Sequence, residues 1–166
     1  DGTVQVRLAG HHLHRREGAA GQFAVLRPMV PHLWWQGHPF SLSTAPSTRG
    51  LVFTIKDRGD ASGAIVRLPV GTRVAVEGPY GALTPASFDQ HRRLLLVVGG
   101  VGVAPVRALL QQLPDGPLGD APVVLYRARH ERDLVHLNEL KELARRRGGS
   151  VRTLVGRRHA IGMSDP

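Results

Sequence analysis

Cysteine is absent from this 166-residue chain, which excludes disulfides, thiolate metal sites and a cysteine nucleophile within it. Aromatic residues make up only 5%, too few to assemble the stacking platform that holds single-stranded nucleic acid. No apolar run approaches the roughly 18 residues a membrane-crossing helix needs; the longest, Leu94–Val98, is strand-sized. The opening residues pass from Asp1-Gly2-Thr3 straight into apolar and polar alternation, so no secretory leader is expected there. Acidic residues are scarce beside basic ones, 13 against 22, giving a formal charge of +9. The basic residues are scattered, with Arg145-Arg146-Arg147 and Arg157-Arg158 among the few short clusters. Such a surface suits dinucleotide phosphates, an acidic electron carrier or an anionic membrane face, and no nucleic-acid partner is expected. His12 and His14 would share one strand face with His11 opposite, but two ligands without a third do not make a metal site.

What is present divides into two textures. From Thr3 to Glu77 the chain reads as short strands broken by Gly and Pro: Thr3–Ala9, Gln22–Arg27, Phe40–Ala45, Leu51–Lys56 and Arg73–Glu77. Val4, Val6 and Leu8 alternate with polar neighbours, as do Val52 with Thr54 and Val74 with Val76, which is period-two strand behaviour. Many short strands at this spacing predict a small antiparallel barrel or sandwich.

After a polar joint at 86–93 the pattern changes. Leu94–Val98 is apolar at every position, as for a parallel strand buried on both faces. A glycine turn follows, then a helix over Val103–Gln112, a strand at Val123–Tyr126, a helix over Asp133–Arg146 and a strand at Val151–Leu154. Leu134, Leu137, Leu140 and Ala144 share a helical face. Strand-helix-strand-helix-strand is half of a doubly wound α/β unit. Only three parallel strands fit, and Arg157–Pro166 reads as an unfinished loop, so a chain incomplete at both ends is expected.

Two constellations carry chemistry. Gly99-Gly100-Val101-Gly102-Val103-Ala104-Pro105 follows a strand and opens a helix, where backbone N–H groups attract phosphate and glycine lets it approach. Pro105 suits the first helical turn because its missing N–H would be unpaired there anyway. A plain βα turn remains the alternative. The acidic ribose-binding residue of a simple dinucleotide fingerprint is missing after the next strand, where Tyr126-Arg127-Ala128-Arg129 stands instead. The second constellation is His38-Pro39-Phe40-Ser41-Leu42-Ser43, with Gly21-Gln22-Phe23 before it and Gly59-Asp60-Ala61-Ser62 and Glu77-Gly78-Pro79-Tyr80-Gly81 after it.

In order and spacing these segments resemble the ferredoxin-NADP reductase family over nearly the whole chain. The His-Pro-Phe form, with Trp34-Trp35-Gln36-Gly37 just upstream, is similar to the ferric reductase and NADPH oxidase branch. The resemblance implies an all-β domain followed by an α/β one: an antiparallel flavin-binding β-barrel over 1–88, then a partial doubly wound parallel nucleotide-binding domain over 89–166. It implies FAD held by His38, Pro39, Phe40, Ser41, Leu42 and Ser43, with His38 on the pyrophosphate and Phe40 against the isoalloxazine. Ser41 would be the catalytic contact, near the flavin N5 that receives the hydride. Gly59, Ala61 and Ser62 would hold pyrophosphate oxygens, and Gly99, Gly100 and Gly102 would admit the nicotinamide dinucleotide.

Two departures from the family pattern stand out. Phe40 replaces Tyr, keeping the stacking face without the hydroxyl. His38 replaces Arg, exchanging a permanent planar charge for a titratable ring unless Arg58 or Arg67 supplies the cation. Arg127 and Arg157 would grip the nucleotide, favouring NADPH with NADH possible, although a solvated basic loop is the alternative for Gly156-Arg157-Arg158. The implied function is transfer of electrons from NADPH through FAD to a haem-bearing transmembrane domain or another one-electron acceptor. That places the chain at the cytoplasmic face of the plasma membrane as part of a longer protein. A soluble reductase serving an iron-sulfur or globin partner, and a flavin-binding module without turnover, are the other readings.

Overall fold

The computed structural model describes residues 2–10, 13, 18–47, 50–88, 94–113 and 121–156. The strands of the first half are β1 (Thr3–Leu8), β2 (Phe23–Pro28), β3 (His38–Ser41), β4 (Leu51–Lys56) and β5 (Val74–Tyr80), with helix α1 (Asp60–Val66) between β4 and β5. β1 pairs antiparallel with β4, from Thr3 opposite Lys56 to Leu8 opposite Leu51. β2 is central to a second antiparallel sheet, flanked by β3 and β5. A bridge between Leu42 and Phe53 joins the two sheets.

Both sheets close over one core in which Ala24, Leu26, Leu42, Phe53 and Ile55 are all but fully buried. β4 is buried almost throughout. Its Leu51, Phe53 and Ile55 face this core, while the intervening Thr54 reaches the second half of the chain. β3 starts earlier and ends sooner than the expected Phe40–Ala45 strand, because beyond Ser41 the chain leaves β2 and bridges to β4.

The second half holds β6 (Leu95–Gly99), α2 (Val103–Gln112), β7 (Val123–Ala128), α3 (Leu137–Arg145) and β8 (Ser150–Val155). The strands lie in the order β6-β7-β8, all parallel. The expectation that Leu94–Val98 is buried on both faces is corrected: Leu96 and Val98 are buried, but Leu95 and Val97 are 58% and 70% exposed. The cause is topological. Successive crossovers between parallel strands are right-handed, so moving across the sheet in one direction puts α2 and α3 on the same side. There Val103, Val106, Leu110, Leu140 and Ala144 pack on Leu96, Val98, Val124 and Tyr126.

α3 begins at Leu137, four residues later than expected, because His136 is left-handed at φ 59°. A short 3-10 turn at Glu131–Asp133 precedes it. Tyr126, fully buried, pins this irregular entry. Its hydroxyl faces the carbonyls of Gly100 at 3.0 Å, Val135 at 3.2 Å and Asp133 at 3.3 Å. The Val135 and Asp133 carbonyls are ones that a helix starting at Asp133 would have used itself.

A polar seam joins the halves. Arg107 on α2 grips Glu139 on α3 with Nε and Nη2, each at 2.8 Å from a carboxylate oxygen, and its Nη1 donates to the Ser43 carbonyl. Ala20 N–H donates to Gln112 Oε1 at 2.7 Å and Ala45 N–H to Gln111 Oε1 at 3.2 Å. Lys56 Nζ at the end of β4 pairs with the Asp133 carboxylate. Burial favours protonation of Glu139, but the Arg107 guanidinium outweighs it and holds the carboxyl below its usual range.

Candidate functional site

A cleft of about 330 Å³ opens where β3 meets the turn after β4, lined by His38, Pro39, Phe40, Arg58, Gly59, Asp60, Ala61 and Ser62. His38 and Phe40 are two residues apart on one strand and therefore share a face. His38 is 9% exposed, and its Nε2 atom has no hydrogen-bond partner. A buried ring nitrogen left unpaired costs free energy unless something else in the site satisfies it.

The opposite wall is the turn into α1. Ser62 Oγ accepts from the Arg58 N–H at 3.0 Å and donates to the Gly59 carbonyl at 3.2 Å. Its hydroxyl therefore shapes the turn at the start of the helix, whose first N–H groups have no intrahelical acceptor. Nothing lies within 4 Å of the position a side chain would take at Gly59, so the wall is open there.

The cleft thus gathers His38, Pro39, Phe40, Gly59, Ala61 and Ser62 of the expected flavin set. It does not gather the rest. Ser41 pairs with Phe23 and does not line the cleft. Leu42 is fully buried in the barrel core, and Ser43 is fully buried with its hydroxyl on the Val52 carbonyl at 3.1 Å. Arg58 and Asp60 also line the cleft: Asp60 belongs to the Gly59-Asp60-Ala61-Ser62 segment without having been an expected contact, and Arg58 directly precedes that segment. Arg58 differs from Arg67, which is committed to Asp57 at 3.1 Å. Only three-dimensional placement separates these two cations.

The glycine turn lies at the C-terminal end of β6. Gly100 has φ 52°, and a Cβ added there would sit 3.5 Å from Arg58 Nη2. The glycine turn and the cleft therefore share a border. Gly102 has open space around its Cα, and α2 begins directly after it. Arg127 is exposed on β7, in register with Gly99. Arg157 lies outside the described residues, as do His11, His12 and His14. Among the described residues no cluster of His, Asp or Glu is suited to a metal ion, and no helix is long and apolar enough to cross a membrane.

Residues 4–84 match the FAD-binding domain family and residues 96–159 the oxidoreductase NAD-binding domain family. The chain belongs to the ferredoxin-NADP reductase-like flavoproteins. This flavoprotein is 30% identical over 152 residues to the 2-halobenzoate 1,2-dioxygenase electron transfer component of Burkholderia cepacia, covering 89% of the chain and 43% of the relative. It is 29% identical over 90 residues to the ferric/cupric reductase transmembrane component 2 of Saccharomyces cerevisiae, covering 50% of the chain and 12% of the relative. It thus spans less than half the length of either. Ferredoxin-NADP+ reductase from Plasmodium falciparum, solved with 2′P-AMP, superimposes with a TM-score of 0.72 at 14% identity, covering 98% of the chain and 68% of that one. An antiparallel half that matches an FAD-binding domain family is thus followed by a parallel half that matches an NAD-binding domain family.

Proposed function

We propose that this flavoprotein draws electrons from NADPH and passes them through FAD to a one-electron acceptor, a haem-type centre on a membrane domain. The observation that carries the flavin half is the pairing of an unpartnered, buried His38 Nε2 with Phe40 on one wall of an open cleft. A flavin diphosphate gives that nitrogen an acceptor, and Phe40 offers an aromatic face for ring stacking. The start of α1 adds backbone N–H groups and Arg58 a permanent cation. Bound FAD supplies the ability to take two electrons together and release them singly.

The rest is done by the chain's own groups. The turn at Gly99–Gly102 presents backbone to the dinucleotide phosphates, and the adjoining cleft brings the two cofactors to one edge of the molecule. Arg127 at the end of β7, with Arg157, provides the preference for a 2′-phosphate. Ser41 adjusts the flavin edge from its place beside Phe23.

The His-Pro-Phe segment and the likeness to a ferric/cupric reductase transmembrane component support the haem-type acceptor and a position at the cytoplasmic membrane face. A second reading, a soluble reductase that serves an iron-sulfur or oxygenase partner, is favoured by the longer match to a dioxygenase electron transfer component.

Visible spectroscopy tests the proposal. Purified chain mixed with excess FAD and desalted is expected to keep resolved flavin bands, and anaerobic NADPH to bleach them faster than NADH. A colourless protein after desalting removes the flavin reading. Retained flavin that neither nucleotide bleaches removes the oxidoreductase reading and leaves a flavin-binding module.

A further inference from the structure

Arg58 stands at the border of two sites. Its backbone is fixed by the bond from its N–H to Ser62 Oγ, and its side chain lines the cleft with His38 and Phe40. The same guanidinium approaches the turn of the other half, where a Cβ on Gly100 would lie 3.5 Å from Nη2. Neighbouring cations are committed elsewhere: Arg67 to Asp57, Lys56 to Asp133 and Arg107 to Glu139. Arg58 is exposed and has no carboxylate partner among the described residues.

Asp60 also lines the cleft, so an anionic ligand entering there meets a carboxylate as well as a cation. A second anionic ligand at Gly100 adds like charge across a short gap, and two diphosphates so placed repel one another. A guanidinium has five donors in one plane and keeps its charge at every working pH, so it can face an acceptor on each side.

Resting on the functional reading above, we propose that Arg58 is shared between the flavin diphosphate and the nicotinamide dinucleotide diphosphate, coupling the two sites. Whichever ligand binds first orders the side chain, and the second meets a donor already in place. Coupling of this kind is reciprocal: each ligand tightens the other by the same factor. Without Arg58 only the repulsion remains, and the sign of the coupling reverses.

The test is a titration of the flavin-free chain with FAD, followed by FAD fluorescence, with and without saturating NADP+. Wild type, Arg58→Ala, Arg58→Lys and Arg67→Ala are compared, with circular dichroism confirming that each is folded. NADP+ is expected to tighten FAD in wild type and in Arg67→Ala. In Arg58→Ala, FAD affinity is expected to fall about tenfold, the size of one charge-assisted contact, and NADP+ to weaken FAD further. Arg58→Lys keeps the charge but not the planar fork, so it restores part of the affinity and less of the coupling. Equal ratios of the two FAD dissociation constants in wild type and Arg58→Ala would overturn the shared role, as would an Arg67→Ala variant that behaves like Arg58→Ala. Failure of wild type to bind FAD under any condition overturns the functional reading itself, a result distinct from FAD binding without coupling.

Discussion

His136 Nε2, at the entry to α3, lies 3.0 Å from Thr54 Oγ1 on β4, so one imidazole ties the nucleotide-binding half to the barrel. Burial, reinforced by the Arg107 charge and opposed by Glu139, pushes the His136 pKa below its ordinary 6.5. The folded state therefore favours the neutral ring. Above pH 6.5 the folded and unfolded chains are alike in this respect. Below it the unfolded chain takes up the proton first, and stability falls until the folded ring protonates too. Urea midpoints are expected to drop between pH 7 and pH 5.5 in wild type. The drop should shrink in His136→Asn, where asparagine tolerates the left-handed backbone and does not titrate; an equal drop would place its origin elsewhere.

Tyr126 offers a second test. Its hydroxyl has one proton to share among the carbonyls of Gly100, Asp133 and Val135. Tyr126→Phe leaves them without that donor and is expected to cost about 1–2 kcal/mol in chemical denaturation. Burial also pushes the phenol up from 10.0 to about 12. The sign is that of an acid kept neutral by folding: its contribution is intact below pH 10 and is lost as pH rises from 10 towards 12. Tyr126→Phe should flatten this alkaline loss.

At Gly21 the backbone has φ +88°, and an added Cβ would meet the Leu83 carbonyl at 2.2 Å and the Leu109 side chain at 3.0 Å. Gly71 has a similar φ of +93° but nothing within 4 Å. The two positions separate strain from collision. Gly71→Ala is expected to cost about 1–2 kcal/mol, the left-handed penalty alone. Gly21→Ala should cost about 3 kcal/mol or more, because a carbonyl cannot yield as a side-chain tip does. Thermal midpoints of the two variants would reveal the order.

His38 sets stability against binding. Its Nε2 is buried without a partner, so His38→Leu removes a polar atom that the ligand-free fold leaves unsatisfied. The ligand-free chain is expected to gain about 1 kcal/mol while FAD affinity drops about tenfold or more with the lost donor. Denaturation without flavin and fluorescence titration with it read the two effects separately. A variant that loses stability and keeps its flavin affinity would contradict both.

The alternation of Val4, Val6 and Leu8 and the apolar run at Leu94–Val98 were enough to place β1 and β6, because strand periodicity is local. His38 shares a face with Phe40 only because β3 begins at His38, two residues before the expected strand. The exposure of Leu95 and Val97 was hidden, since composition does not reveal on which side two crossover helices fall. The late start of α3 was hidden too: Leu134, Leu137 and Leu140 keep helical spacing, but His136 turns left-handed where Tyr126 holds the neighbouring carbonyls. Ser41, Leu42 and Ser43 read as one continuous cofactor segment, yet the crossing from β3 to Phe53 turns Leu42 and Ser43 inward. Arg58 and Arg67 were equivalent candidates in sequence and diverge only once Asp57 claims Arg67.

The turn between β2 and β3 carries both tryptophans of the chain, and both lie largely in solvent, Trp34 at 58% and Trp35 at 63%. Indole emission from the native chain should therefore already resemble that of a denatured one. It would shift little as the core melts, and a blue shift or energy transfer to a bound chromophore would report on this one corner of the molecule alone.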